Sequence, residues 1–164
     1  SGTAQFVSIF EDDDDDGIPT ALEFDGDTDG DGIPNYKDYD DDGDNVPTIN
    51  EKPDPNNDGD LADAQDSDGD SIPDYLDQDD DGDGTLTINE DENGNGNLFD
   101  DIASGSSSAR FLDENFSNLY AVQTTNPNQF KRIVTITITL FNIDISVLSA
   151  DSLELGTYET IITF

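Results

Sequence analysis

Carboxylates recur at one fixed spacing through the first two thirds of the chain. Asp79, Asp81, Asp83, Gly84 and Glu90 occupy positions 1, 3, 5, 6 and 12 of the pattern D-x-[DN]-x-[DN]-G-x5-E. Asp12, Asp14, Asp16, Gly17 and Glu23 match it a second time. Asp40, Asp42, Asp44 and Glu51 keep the acids but carry Asn45 at position 6. Asp27, Asp29, Asp31 and Asp66, Asp68, Asp70 open two more loops, which close on Asp38 and Asp77 instead of Glu. Calcium takes six to eight oxygens at roughly 2.3–2.6 Å, and a loop of this length supplies them from positions 1, 3, 5, 7 and 12. Position 7 acts through its backbone carbonyl, so Ile18, Ile33, Val46, Ile72 and Thr85 join the expected ligands.

Other ions fit less well. Magnesium demands a rigid octahedron and keeps its waters. Zinc and copper favour His or Cys, and the chain has neither. Two looser stretches carry only the first half of the pattern: Asp54, Asn56, Asp58 with Gly59, and Asp91, Asn93, Asn95 with Gly96. Calcium and plain turn chemistry both explain them, since Asn and Gly favour turns in any case. The expected load is several calcium ions, about five to seven. Asp38 and Asp77 stand two positions before Asp40 and Asp79. A carboxylate there is placed to bridge neighbouring ions, so Asp77→Asn is expected to weaken two sites together.

The loops form an internal repeat. A shift of 39 residues lays Asp27 on Asp66, Tyr36 on Tyr75, Asp40 on Asp79 and Glu51 on Glu90. Within each pair a single residue, Tyr39 or Gln78, separates the loops, which leaves no room for EF-hand helices. Position 8 is Pro19, Pro34, Pro47 or Pro73 in four loops, where it cannot continue a helix. The chain is therefore expected to wind around a row of ions, with the position-7 residues, Tyr36 and Tyr75 making small apolar contacts between turns. This pattern resembles the thrombospondin type 3 repeat, over roughly residues 10 to 103, without that family's cysteines. DGIPNYKDYDDDGDNVPTINE is also similar to acidic segments of Bacteroidetes outer-membrane or surface lipoproteins, including those attached to FKBP-type peptidyl-prolyl isomerase domains. The resemblance implies serial calcium binding in the cell envelope.

The elements around the loops are β-prone. Gln5 to Phe10 reads as strand, so residues 1–11 either end a preceding domain or pair with the C-terminal part. Ser104 to Ser108 reads as a linker, giving expected boundaries of 12–103 for the repeats, 104–109 for the linker and 110–164 for an antiparallel β segment. Asn118–Thr125, Lys131–Val147, Ser152–Leu155 and Tyr158–Phe164 are its expected strands. The apolar phase changes after Phe141, with Ile143, Ile145 and Val147 on the other parity. The expected fold class is mostly irregular calcium-stabilised loops with no EF-hand helices, plus a small antiparallel β-sheet or sandwich-like C-terminal segment.

Charge narrows the function further. The net charge of the 164 residues is −36, and 35 of the 41 acids lie in residues 1–104. Nucleic acid and anionic membrane attract basic surfaces, so neither is an expected partner. No run suits a transmembrane helix, and the chain opens at Ser1 without a signal-peptide pattern. No nucleophile–base pair or phosphate loop is present, so no enzymatic activity is expected. The expected role is a non-enzymatic structural calcium-binding protein of the bacterial cell envelope, outer-membrane-associated, at the cell surface or periplasmic. Two alternatives stay open: an accessory region of an FKBP-type isomerase lipoprotein, and a subunit of a secretion, gliding or surface assembly joined through the β segment.

Overall fold

The computed structural model describes residues 3–9, 12–24, 26–141 and 157–163, with side chains for 12–24 and 26–128. Loops 1 to 5 denote residues 12–23, 27–38, 40–51, 66–77 and 79–90. Helix in this region comes as single turns: α1 (Thr20–Glu23) and 3-10 turns at Asn35–Lys37, Thr48–Glu51, Leu61–Asp63, Asp74–Leu76, Thr87–Asn89, Leu98–Asp100 and Arg110–Leu112. Four of them follow Pro19, Pro34, Pro47 and Pro73, whose φ lies between −55° and −74°. Proline presets that angle, and the N–H it lacks has no partner at a helix start.

Loops 2 to 5 each close on themselves. The N–H of position 9 donates to the carbonyl just ahead of position 1: Asn35 to Gly26 at 3.0 Å, Thr48 to Tyr39 at 3.2 Å, Asp74 to Gln65 at 2.9 Å and Thr87 to Gln78 at 2.9 Å. Position 4 is left-handed in all five loops, and glycine fills it in four. At Gly43 and Gly82 a side chain is excluded for a second reason. A Cβ would lie 2.8 Å from Asp29 Oδ2 at Gly43 and 2.5 Å from Asp68 Oδ2 at Gly82, so these glycines seat the paired loops on each other.

Apolar packing is thin. Val46, Leu98, Ala109 and Phe111 form the core cluster with Leu112 at its edge, and Phe99 meets Phe111 edge-on at 5.1 Å. Among the expected inter-turn contacts, Ile18, Val46 and Tyr75 are buried. Tyr36 stacks on Phe24 at 5.3 Å. Ile72 is 45% exposed and makes no such core.

Two expectations for the C-terminal part are corrected. Ser104–Ser108 is a folded loop, because Ile102 and Ala109 form a β-bridge and the Arg110 N–H donates to the Asp101 carbonyl at 2.9 Å. The loop pattern thus runs on through Asp113. Asn118–Thr125 is irregular instead of a strand. Its neighbourhood forms a strap whose polar groups bond to the loops, where a strand would need a backbone ladder. Tyr120 N–H donates to the Asn89 carbonyl at 3.0 Å, and Gln123 N–H to Asn89 Oδ1 at 3.3 Å. Asn128 takes the Tyr39 N–H at 3.2 Å and donates to the Lys37 carbonyl at 2.7 Å.

The strap returns the chain from loop 5 to loop 2 and delivers β2 (Gln129–Phe141) beside β1 (Thr3–Ile9). These pair antiparallel from Thr3 opposite Phe141 to Ile9 opposite Thr135. β3 (Thr157–Thr163) pairs antiparallel on the other side of β2, from Gln129 opposite Thr163 to Thr135 opposite Thr157. The sheet order is β1-β2-β3. The phase change at Ile143, Ile145 and Val147 and the strand expected at Ser152–Leu155 lie outside the described residues.

Candidate metal centres

One backbone device recurs in every loop and aims the acids inward. The position-5 carboxylate accepts the N–H of position 7: Asp16 from Ile18 at 2.8 Å, Asp31 from Ile33 at 2.6 Å, Asp44 from Val46 at 2.6 Å, Asp70 from Ile72 at 2.7 Å and Asp83 from Thr85 at 2.7 Å. Position 1 accepts the N–H of position 6 in four loops: Asp12 from Gly17, Asp40 from Asn45, Asp66 from Ser71 and Asp79 from Gly84. Position 3 accepts from position 5 at Asp29, Asp42, Asp68 and Asp81. Such Asx-type bonds tie down one oxygen of most of these carboxylates, while Asp12, Asp66 and Asp81 have both oxygens engaged by backbone N–H groups.

In loops 1, 3 and 5 many of the remaining oxygens are buried and have no hydrogen-bond partner. They include both oxygens of Asp14, Glu23, Asp41, Glu51, Asp80 and Glu90, and one each of Asp16, Asp40, Asp42, Asp44, Asp79 and Asp83. Asp42, Asp44, Glu51 and Asp80 offer ligand atoms within 4.8 Å of one another, as do Asp16, Glu23 and Asp41, and Asp12, Asp14 and Asp16. The cations between residues 12 and 128 are bonded elsewhere: Lys37 to the Tyr36 hydroxyl at 2.7 Å, Lys52 to Gln65 Oε1, and Arg110 to Glu92 at 2.9 Å.

The electrostatics follow. Burial, with Asp16 and Glu23 beside it, pushes the Asp14 carboxyl up to about 10. Burial, with Asp16 and Asp41 nearby, takes Glu23 to about 9. Burial likewise takes Asp41 to about 8, Asp80 to about 10 and Glu90 to about 8. Asp42, Asp44 and Glu51 are driven well above the usual range by burial first, and then by neighbouring carboxylates: Asp44 and Asp40 beside Asp42, Asp40 and Asp74 beside Asp44, and Asp44 and Asp42 beside Glu51. Carboxylates this crowded either hold protons or share cations. These acidic clusters are compatible with metal ions.

Loops 2 and 4 differ in depth. Asp27, Asp29 and Asp31 converge, as do Asp66, Asp68 and Asp70, but both groups are largely exposed. Their closing acids face two ways. Asp38 accepts the Asp40 N–H at 3.3 Å and Asp77 the Asp79 N–H at 3.0 Å, tying each loop to the first residue of the next. Burial, with Asp29 and Asp31 close by, raises Asp38 to about 7.

In the two partial loops, amides meet acids directly. Asn56 donates to Asp63 at 2.6 Å. Asn93 donates to Asp100 at 2.8 Å and to Asp101 at 2.9 Å, and Asn95 to Asp100 at 2.9 Å. Asp54 and Asp58 accept backbone N–H groups of Gly59 and Asp60 at 2.9 Å each. Burial raises Asp91, but the N–H groups of Gly96, Gly94 and Asn95 outweigh it and hold the carboxyl below its usual range. These stretches are satisfied as turns.

Sequence reasoning missed Asp41 and Asp80, which sit at position 2, where the pattern asks for nothing. The available signal was the 39-residue shift that lays one on the other. It also missed the loop Ile102–Asp113, whose position-9 return bond matches the others but whose ligand positions hold no acid before Asp113. No family model, curated protein or solved structure matches this chain.

Proposed function

We propose that the chain is a non-enzymatic structural calcium-binding module of the bacterial cell envelope, a spacer and interaction unit stiffened by its ions. The buried carboxylate oxygens that lack hydrogen-bond partners carry this reading. A buried ionised carboxylate without a partner costs several kcal/mol, and the three cations in the loop region are bonded elsewhere. Loops 1, 3 and 5 would hold calcium through Asp12, Asp14, Asp16 and Glu23, through Asp40, Asp42, Asp44 and Glu51, and through Asp79, Asp81, Asp83 and Glu90. Calcium supplies charge neutralisation and a folding template, so binding energy is folding energy.

Sites of this kind fill at the 10⁻⁴ to 10⁻³ M calcium of extracytoplasmic compartments, which together with the resemblance to surface lipoprotein segments favours the outer membrane or cell surface. No helix among the described residues is long and apolar enough to cross a membrane. One observation favours a subunit role besides: β1 and β3 are the edges of the described sheet, and strand addition from a partner at either would extend it. The test is circular dichroism and small-angle scattering of the full chain with calcium and with chelator. Loss of the compact profile on chelation supports the proposal, and an unchanged profile refutes it.

A further inference from the structure

We infer that Asp41 and Asp80 are ligands supplied across the repeat: Asp41 completes the centre of loop 1, Asp80 completes that of loop 3, and the two ions lock loops 1, 3 and 5 into one stack. The inference rests on the calcium reading above and adds to it which side chains couple the loops. Asp41 is 1% exposed and Asp80 2%. Both oxygens of each lack a hydrogen-bond partner. Asp41 offers a ligand atom within 4.8 Å of those of Asp16 and Glu23, and Asp80 within 4.8 Å of those of Asp42, Asp44 and Glu51. Neither belongs to the loop whose acids it joins.

The neighbouring loops show that this is a choice made at one position. In loops 2 to 5 the position-9 side chain fixes the backbone of position 2. Asn35 accepts the Thr28 N–H at 2.9 Å, Thr48 that of Asp41 at 3.1 Å, Asp74 that of Ser67 at 2.7 Å and Thr87 that of Asp80 at 3.2 Å. The frame is constant while the side chain alternates. Thr28 and Ser67 spend their hydroxyls at home, Thr28 accepting from Asn35 at 2.9 Å and Ser67 donating to Asp74 at 2.8 Å. Asp41 and Asp80 make no such local bond and reach an adjacent loop. Gln78, one residue before loop 5, also donates to the Asp42 carbonyl and holds loop 5 against loop 3. An ion at loop 3 therefore needs loop 5 in place, and an ion at loop 1 needs loop 3.

The repeat itself supplies the test substitutions, Asp41→Thr and Asp80→Ser, since Thr28 and Ser67 occupy the same frame. The full chain, each variant and the exposed control Asp15→Asn are titrated with calcium by calorimetry after chelation. Terbium is titrated in parallel. Glu23, Asp41 and Tyr75 wall one cavity, so tyrosine-sensitised terbium emission that disappears in Tyr75→Phe reports on the loop 1 centre. Each variant is expected to weaken the tight calcium class at least about tenfold and to flatten the cooperative isotherm, with Asp15→Asn unchanged. Asp41→Thr is expected to lose the Tyr75-sensitised emission at terbium levels that saturate the unaltered chain. Variants that match the unaltered chain in isotherm and emission overturn the inference and leave the proposed function standing. An unaltered chain that binds no calcium overturns both.

Discussion

Removing calcium at neutral pH should unfold the loop region, and acid should partly restore it. The magnitude follows from the buried acids. Asp14 and Asp80 rise to about 10, Glu23 to about 9, and Asp41 and Glu90 to about 8. An unfolded carboxyl ionises near pH 4, and each unit of difference is worth about 1.4 kcal/mol. At pH 7, about three units above the unfolded value, these five groups together oppose the compact metal-free state by on the order of 20 kcal/mol, more than the whole stability of an ordinary domain. The sign is that of raised carboxyls. The metal-free compact state is least disfavoured below about pH 4, and it is lost as pH rises through the folded values of about 7 to 10. With calcium the dependence reverses, because the ions need the ionised form and protons compete with them on acidification. The assay is small-angle scattering across roughly pH 3 to 11, which passes both the unfolded value near 4 and the folded values of about 8 to 10, with calcium and with chelator. A buffer series in calorimetry adds the count of protons released per chain on binding. Several protons are expected at pH 7. A chelated chain that keeps its compact profile at pH 7 and releases no protons would refute the electrostatic argument.

Position 6 offers a paired comparison. Ser71 at φ 85° has no compensating side-chain bond, so Ser71→Gly is expected to raise the thermal midpoint by the equivalent of about 0.5–1 kcal/mol. Asn45 at φ 76° donates to the Thr124 carbonyl at 3.1 Å and accepts the Asn126 N–H at 2.6 Å, so Asn45→Gly should cost about 1 kcal/mol and raise hydrogen exchange in the strap. Gly82→Ala must displace Asp68 and strain a φ of 65°, so calcium titration should show a weaker loop 4. Phe111→Ala should cost about 3–5 kcal/mol in calcium-loaded thermal unfolding, since Phe111 is 1% exposed in a four-residue core cluster.

The convergence of the acids at positions 1, 3 and 5 was legible because each set lies within one loop, where spacing alone fixes geometry. The closing Glu residues of loops 1, 3 and 5 mark the buried groups: Glu23, Glu51 and Glu90 are all buried, while the acids at positions 1, 3 and 5 of loops 2 and 4 stay largely in solvent and, of their closing acids, only Asp38 is buried. Asp41 and Asp80 were illegible because their partners are far along the chain, and in an acidic run they look like spacers. The strap was misread for a related reason. Its short apolar alternation suits a strand, but its hydrogen-bond partners are Asn45, Asn89 and the carbonyls of loops already folded. Composition misled at Ser104–Ser108, where serines that suit a linker also suit a tight loop.

That serine loop argues most directly for ions in the others. Residues 102–113 keep the frame: the return bond from Arg110 to Asp101, a left-handed Gly105 at position 4 with φ 102°, and a position-5 side chain, Ser106, accepting the Ser108 N–H at 3.0 Å. The carboxylates at positions 1, 3 and 5 are gone, and the Ser106 hydroxyl donates straight to Asp113 at position 12. A proton-bearing group stands where the acidic loops offer only acceptors. In loop 3 the corresponding pair is Asp44 and Glu51, both buried and both raised well above the usual carboxyl range by burial and neighbouring carboxylates, so without an ion the pair stays packed at neutral pH only by holding protons. The same backbone therefore closes with a hydroxyl in one place, and in the acidic loops it closes only if protons or a cation offset the carboxylate charge. Placing Ser at position 5 of loop 3, as Asp44→Ser, should remove part of that need. The variant is expected to bind less calcium yet lose less structure on chelation than the unaltered chain. Equal or greater loss on chelation would show that the frame, and not the charge, is what the ions hold.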